Sequence, residues 1–240
     1  VDYRFRYFTP TEELPIAGHP SIAAWLTLTM TNEINIEERC IFYQENGAGI
    51  QEIKIYKSND EIYVTMKQPQ AKFKQIVSDL SLVANVLGVS QEEFDHNLPI
   101  QCVDTGLGHL VVPMRSLDSL MKVKRNIDSL GKLCRDYEAR EVQAFSFETY
   151  DPNLNLHTRN ICPRHGIEDP ACGVGNAALS CYLHANYYRD LTKLNLKNEQ
   201  GFVVNMPSIV TASVEKTVDG SYQAYTGGLG IEMIVGELSI

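Results

Sequence analysis

Three side chains in this sequence have the types and settings for proton chemistry: His19, Asp169 and Cys172. Each lies in one of two short phrases built alike. The first reads Glu13-Leu14-Pro15-Ile16-Ala17-Gly18-His19-Pro20 and runs into the apolar stretch Ile22-Ala23-Ala24-Trp25-Leu26. The second, 155 residues further on, reads Glu168-Asp169-Pro170-Ala171-Cys172-Gly173-Val174-Gly175 and runs into Ala177-Ala178-Leu179-Ser180-Cys181-Tyr182-Leu183. Both have the form Glu-x-Pro-x-small-Gly ahead of an apolar helix, and an Arg-x-x-x-Pro precedes each, Arg6 to Pro10 and Arg159 to Pro163. A repeated supersecondary unit of this kind predicts a duplicated fold.

A helix N-terminus leaves backbone N–H groups unpaired and carries partial positive charge, so it favours an anion such as a carboxylate in front of it. Gly18, Gly173 and Gly175 let the backbone approach a ligand, and Pro20 suits the first helical turn, where its missing N–H costs nothing. Ser21, Val174 and Asn176 complete the expected substrate-binding set. An imidazole titrates near neutrality, which makes His19 a candidate acid/base, with Asp169 its partner or orienting group. Cys172 stands next to the second helix start, where a thiol is activated, the alternative being an inert packing role like that of most buried cysteines. The glycine-rich runs Gly106-x-Gly108-His109 and Gly227-Gly228-x-Gly230 lack a phosphate-loop Lys and read as turns or close backbone packing. His157 and His165 lack metal-ligand spacing with any Cys, and no metal is expected.

The elements that position these residues alternate between strand and helix periods. Val1, Tyr3, Phe5 and Tyr7 alternate with polar residues as in a half-buried strand, and Cys40–Gln44, Ile50–Tyr56 and Ile62–Met66 read as a meander. Ile76, Leu80, Val83 and Leu87 predict a helix over Phe73–Leu87, and Ser90-x-x-Glu93 a capping box opening another. The second half predicts strands at Gln101–Asp104, His109–Pro113, Val142–Phe147, Leu154–Ile161, Leu194–Leu196, Val203–Met206, Ile209–Glu215, Tyr222–Tyr225 and Ile231–Ile240. Helices are expected at Leu117–Lys122 and Ile127–Tyr137. Only the two helices after the doubled phrase are apolar nearly all round, so each is expected to be buried on every side by a curled sheet. The fold class is therefore α+β: two pseudo-symmetric lobes, each a curled, mostly antiparallel sheet around a central helix. Residues 1–100 with 227–240 form one lobe and 101–226 the other, crossing at Leu98-Pro99-Ile100.

Composition narrows the function. The formal net charge of −9 without a Lys/Arg cluster argues against nucleic acid, and no apolar run reaches the length of a membrane span. The six cysteines form no CxxC pair and no framework spacing, which predicts free thiols in a reducing, cytoplasmic compartment. Val1 already lies in a strand pattern without an initiator Met, so a segment upstream is expected.

Arg4-Phe5-Arg6-Tyr7-Phe8-Thr9-Pro10-Thr11 through Ala17-Gly18-His19-Pro20, and Gly166-Ile167-Glu168-Asp169-Pro170, resemble the phenazine-biosynthesis PhzF-like isomerases. The likeness continues through Leu98-Pro99-Ile100-Gln101 to Thr105-Gly106 and through Glu199-Gln200-Gly201 to Pro207-Ser208. That family has the diaminopimelate-epimerase-like fold, with two lobes and the active site in the cleft. The resemblance implies His19, Asp169 and the loop Gly173–Val174 as site residues. It also implies acid/base proton transfer on a small acidic metabolite, no cofactor and a homodimer. The family's catalytic Glu, in a Ser-Glu motif ahead of the His, would fall before Val1. The turn Ala-Cys-Gly-Val-Gly-Asn carries Cys172 where the family usually has Thr, as in the amino-acid epimerases. Those need a second cysteine, and Ala17 stands there; an alanine transfers no proton. The alternatives are a one-cysteine epimerase or dehydratase of an amino or hydroxy acid, and a non-catalytic binder of small acids.

Overall fold

The computed structural model describes residues 1–8, 13–58, 61–163, 167–232 and 234–236. Pro10, His165 and the end of the strand expected over 231–240 lie outside them. The chain divides into two compact units, Val1–Met66 with Gly227–Ile240, and Lys67–Thr226. The first boundary thus falls earlier than the sequence suggests. Residues 67–100 belong to the second unit because their strand pairs there and their helix completes a core there.

In the first unit, strands β1 (Tyr3–Arg4), β2 (Tyr7–Phe8) and β3 (Glu13–Leu14) lead into helix α1 (Gly18–Met30), followed by β4 (Ile41–Asn46), β5 (Gly49–Ser58) and β6 (Glu61–Lys67). The sheet order is β1-β4-β5-β6, parallel between β1 and β4 and antiparallel for the rest of the meander. β2 pairs antiparallel with β3. Trp25 anchors the core with Phe42, Ile53, Ile55, Val64 and Met66, and its indole N–H donates to Gln44 Oε1 at 2.8 Å. α1 buries one stripe, Ser21, Trp25, Leu26 and Thr29, rather than its whole circumference. Among the described residues the meander packs on that face, and Ala23, Thr27 and Met30 are exposed.

The second unit runs β7 (Lys72–Ile76), α2 (Leu80–Leu87), β8 (Gln101–Asp104), β9 (Gly108–Pro113), α3 (Leu117–Lys122), α4 (Ile127–Asp136), β10 (Glu141–Ser146), β11 (Leu156–Cys162), β12 (Ile167–Asp169), α5 (Gly173–Asn186), β13 (Lys193–Gln200), β14 (Ser208–Lys216) and β15 (Tyr222–Gly228). The sheet order is β15-β14-β13-β11-β10-β9-β8-β7, with β12 on β11; β9/β10 and β11/β13 are parallel. One sheet face packs on α2, α3 and α4 through Val83, Leu87, Leu110, Val112, Leu120, Leu130 and Ile161. The other carries α5, buried from Gly173 through His184 as an apolar helix requires. Together the two units make the expected α+β architecture.

Local chemistry explains the differences from the periodicity reading. The expected helix over Phe73–Leu87 splits: Phe73 pairs with Val103 across β7/β8, and the Asp79 side chain accepts from Leu82 N, so the helix starts only after Asp79. Ser90 makes no cap bond and donates to Glu92, leaving a 3-10 turn over Gln91–Glu93. Val203–Met206 is not a strand but the end of a 3-10 turn, Phe202–Val204, between Gly201 (φ 87°) and Asn205 (φ 57°) in left-handed conformation. A Cβ on Gly201 would stand 2.2 Å from the Met206 carbonyl and 3.0 Å from Pro170 Cβ. Only glycine lets this turn close against the Asp169-Pro170 corner. Residues 231, 232 and 234–236 have no strand structure.

The doubled phrase is a doubled structure. In each copy two short antiparallel segments precede a helix, and the arginine of the phrase grips its glutamate with two nitrogens. Arg6 Nε and Nη2 donate to Glu13 at 2.9 and 2.8 Å, on the surface. Arg159 Nε and Nη2 donate to Glu168 at 2.9 and 3.0 Å, with side chains only 3% and 1% exposed. Arg159 Nη1 also donates to the Leu120 and Val123 carbonyls at the end of α3, at 2.8 and 2.9 Å. Arg159→Met is expected to lower the unfolding free energy by about 3–5 kcal/mol, because Glu168 is left as an unpaired buried charge. Arg159→Met with Glu168→Leu should recover part of that loss but not all, since the α3 carbonyls stay unpaired. Urea denaturation checks both, and a double variant no more stable than the single would contradict this account.

Candidate active site

Strand register assembles a polar field on the sheet face beneath the start of α5. His109 and Glu141 are paired across the parallel ladder β9/β10, Gln143 and Asn160 across β10/β11, and Asn160 and Asp169 across β11/β12. Asn160 Nδ2 donates to Gln143 Oε1 at 3.0 Å. Gly175 packs on this pair so closely that a Cβ would stand 2.3 Å from Gln143 Oε1, and a Cβ on Gly173 would meet the Thr226 side chain at 3.1 Å. The glycines of the second phrase thus serve helix-to-sheet packing, and Gly173, Val174 and Gly175 are buried.

Asp169 sits at the corner before α5, half-buried. Its Oδ1 accepts from Ala171 N at 2.8 Å, which fixes the carboxylate in the turn, and its carbonyl accepts from Gln200 Nε2 at 2.6 Å. Asn176, expected to bind substrate, is spent internally. Its Nδ2 donates to Cys172 O at 2.9 Å and Gln200 Oε1 at 2.8 Å, and its Oδ1 accepts from Asn198 at 2.8 Å. It braces the corner that holds Asp169.

Cys172 is the N-cap of α5. Its Sγ accepts from Gly175 N at 3.3 Å and lies 3.6 Å from His109 Nε2. Burial pushes the thiol well above its usual range, and the charges of Glu141 and Asp169 add to that. The helix-start activation expected from sequence is therefore outweighed by desolvation. His109 Nδ1 lies 2.9 Å from the Leu107 carbonyl and Nε2 3.1 Å from Glu141 Oε2, so both ring nitrogens face acceptors. Burial alone would raise the Glu141 carboxyl, but the hydrogen bond and charge of His109, with Cys162 and Asn160, hold it at about 2. Among the described residues, His109, Glu141 and Cys172 form a donor set able to hold a metal ion, their ligand atoms lying within 4.8 Å of one another. Sequence spacing could not reveal it, because strand register brings together residues from three distant segments.

In the first unit, His19 is exposed in the first turn of α1, with Gly18 and Pro20 half-buried beside it. Ala17 is the N-cap and offers no side-chain bond. Ser21, also expected to bind substrate, is fully buried. It donates to Ala17 O at 2.7 Å and bonds the Tyr7 hydroxyl, while Gln44 Nε2 reaches it at 3.3 Å. His157 is fully buried in the second unit, its Nδ1 2.7 Å from Glu199 Oε1, and burial lowers its pKa against the opposing pull of Glu199. All six cysteines are free, and among the described residues no helix is long and apolar enough to cross a membrane.

Residues 1–233 match the model of the phenazine biosynthesis-like protein family, PhzC-PhzF. The chain is 30% identical over 203 residues to the uncharacterized isomerase YfhB of Bacillus subtilis, covering 84% of this chain and 68% of that protein. An uncharacterized isomerase of Clostridium acetobutylicum is 28% identical over 238 residues, covering 97% of this chain and 78% of the relative. Among solved structures, the PhzF-family phenazine biosynthesis protein of Bacillus anthracis superposes with a TM-score of 0.86 at 27% identity, over 94% of this chain and 77% of that one. A hydroxyproline epimerase of Agrobacterium vitis, crystallised with trans-4-hydroxy-L-proline, superposes at 0.62 with 16% identity, over 96% and 68% of the two chains, a likeness of fold alone. The chain belongs to the phenazine biosynthesis-like PhzC-PhzF family and is an isomerase.

Proposed function

We propose that this isomerase shifts a proton on a small carboxylate-bearing metabolite by acid/base chemistry of its own side chains, without a cofactor. The observation that carries the reading is Asp169. Its carboxylate is fixed by Ala171 N–H at the corner before α5, is half-buried rather than sealed, and stands on a fully bonded scaffold of Gln200 and Asn176. A held carboxylate at the edge of a water-poor region is what general acid/base catalysis requires. The first turn of α5 contains no acidic side chain, which leaves the partial positive charge of its N-terminus to a substrate carboxylate. In this reaction Asp169 accepts a proton from a carbon activated by the substrate's carboxylate. A proton is returned at another position or face, so the product is an isomer.

His19 is the second proton-carrying group of this reading. It is supported by its exposed place in the first copy of the phrase, where Ala17 holds the position that Cys172 holds in the second. Cys172 serves as the N-cap and floor of the Asp169 corner, since its buried thiol resists giving up its proton. A cytoplasmic homodimer fits this reading, with the six free thiols in keeping with a reducing compartment.

Incubation with panels of small amino and hydroxy acids in D2O, followed by NMR, tests the chemistry directly. Wild-type protein should introduce solvent deuterium at carbon in at least one acid. Asp169→Asn keeps an acceptor for Ala171 N–H and should slow that exchange by about 10²–10⁴-fold at unchanged melting temperature. Exchange at the wild-type rate in this variant would sink the assignment of Asp169. For the exposed imidazole, His19→Ala should also slow exchange by at least about 10²-fold without loss of stability. A variant that exchanges normally removes His19 from the reaction while leaving Asp169 in place.

A further inference from the structure

The proton transfer proposed for Asp169 does not draw on the cluster of His109, Glu141 and Cys172, whose side chains are buried and bonded to one another. We propose that this cluster is a binding site for a divalent transition-metal ion of the zinc class, held by His109 Nε2, a Glu141 carboxylate oxygen and Cys172 Sγ.

The donor set is the first argument. Imidazole nitrogen, carboxylate oxygen and thiolate sulfur are the three ligand types that zinc takes from proteins, and their bonds to it run at about 2.0–2.3 Å. Ligands around one ion at such distances are themselves about 3–4 Å apart. Here His109 Nε2 is 3.1 Å from Glu141 Oε2 and 3.6 Å from Cys172 Sγ, and all three donor atoms fall within 4.8 Å of one another. All three residues are buried.

The surroundings are the second argument, because metal ligands are oriented by an outer layer of hydrogen bonds. His109 Nδ1 is taken by the Leu107 carbonyl at 2.9 Å, which turns Nε2 toward the cluster. Glu141 is held by Asn160 and Cys162 as well as by His109. Cys172 Sγ accepts the Gly175 N–H at 3.3 Å, which orients the sulfur at the cap, and a bound ion would take the place of the proton that burial otherwise holds on it. The charges also match, since a divalent ion supplies two positive charges where Glu141 and a Cys172 thiolate supply two negative ones. Coordination displaces the thiol proton and the hydrogen that Nε2 shares with Glu141, and both go to solvent. Two ligands come from adjacent β strands and the third from the cap of α5, so the ion would tie the helix start to the sheet.

The test uses the full chain, stripped with a chelator and titrated with Co²⁺ and then Zn²⁺. One Co²⁺ per chain is expected, with a thiolate-to-cobalt charge-transfer band that Zn²⁺ abolishes, and X-ray absorption should show a single sulfur in the first shell of the wild-type complex. Cys172→Ser should remove the band, and His109→Gln should weaken binding by more than about 100-fold, beyond the 10–100-fold typical of outer-layer partners. Cys40→Ser, at an exposed position, should change nothing. A folded wild-type protein that takes up no metal overturns the proposal, as does a bound ion without sulfur in its first shell or a band that survives Cys172→Ser. If Cys172→Ser fails to fold by circular dichroism, the sulfur signal of the wild-type complex decides alone. Asp169→Asn should keep the metal while losing proton exchange, so failure of this site and failure of the proton-transfer reading are told apart.

Discussion

The buried pair of Arg159 and Glu168 is the constraint on which the second unit's functional region depends. Two parallel hydrogen bonds fix the guanidinium to the carboxylate, and the remaining arm is shared between two carbonyls at the end of α3. One side chain thereby ties together β11, β12 and α3. Glu168 precedes Asp169 directly, so the position of the proposed catalytic carboxylate is inherited from an ion pair on the opposite face of the strand. Charges so deeply buried are a weak source of net stability, and their value here lies in fixing one arrangement of the Asp169 corner.

The sequence was legible where chemistry is local. Pro170, the glycines and the apolar run of α5 announced a turn and a helix buried on every side. Periodicity misled at residues 73–87, where helical spacing was real only from Leu80 onward and Phe73 was claimed by a neighbouring strand. His109 and Glu141 were hidden for a different reason. They meet through the register of a parallel pair, and such register is set by tertiary packing over long separations in the chain. Asn176 and Ser21 stood at positions that looked open to a ligand, yet burial and three partners each turned them into internal braces.

The two copies of the phrase share a skeleton and diverge in environment. The first keeps its Arg–Glu pair and its histidine at the surface, and its helix begins with an alanine that cannot cap. The second sinks its Arg–Glu pair into the core and begins its helix with a thiol. The two corners are alike in sequence pattern and in their paired Arg and Glu, and differ in burial. The second corner is braced by buried amides at Gln200 and Asn176, whereas the imidazole of the first is exposed.

The chain order of the first unit has a consequence for synthesis. Its meander is completed by Gly227, which packs so tightly that a Cβ there would stand 2.1 Å from the Val64 carbonyl. A ribosome that has finished Met66 must make all of Lys67–Thr226 before that segment exists, a wait on the order of ten seconds. The second unit is therefore whole while the first still lacks its closing piece. Folding in the cell would run against the usual N-terminal-first order, and the nascent meander would be the stretch most in need of a chaperone.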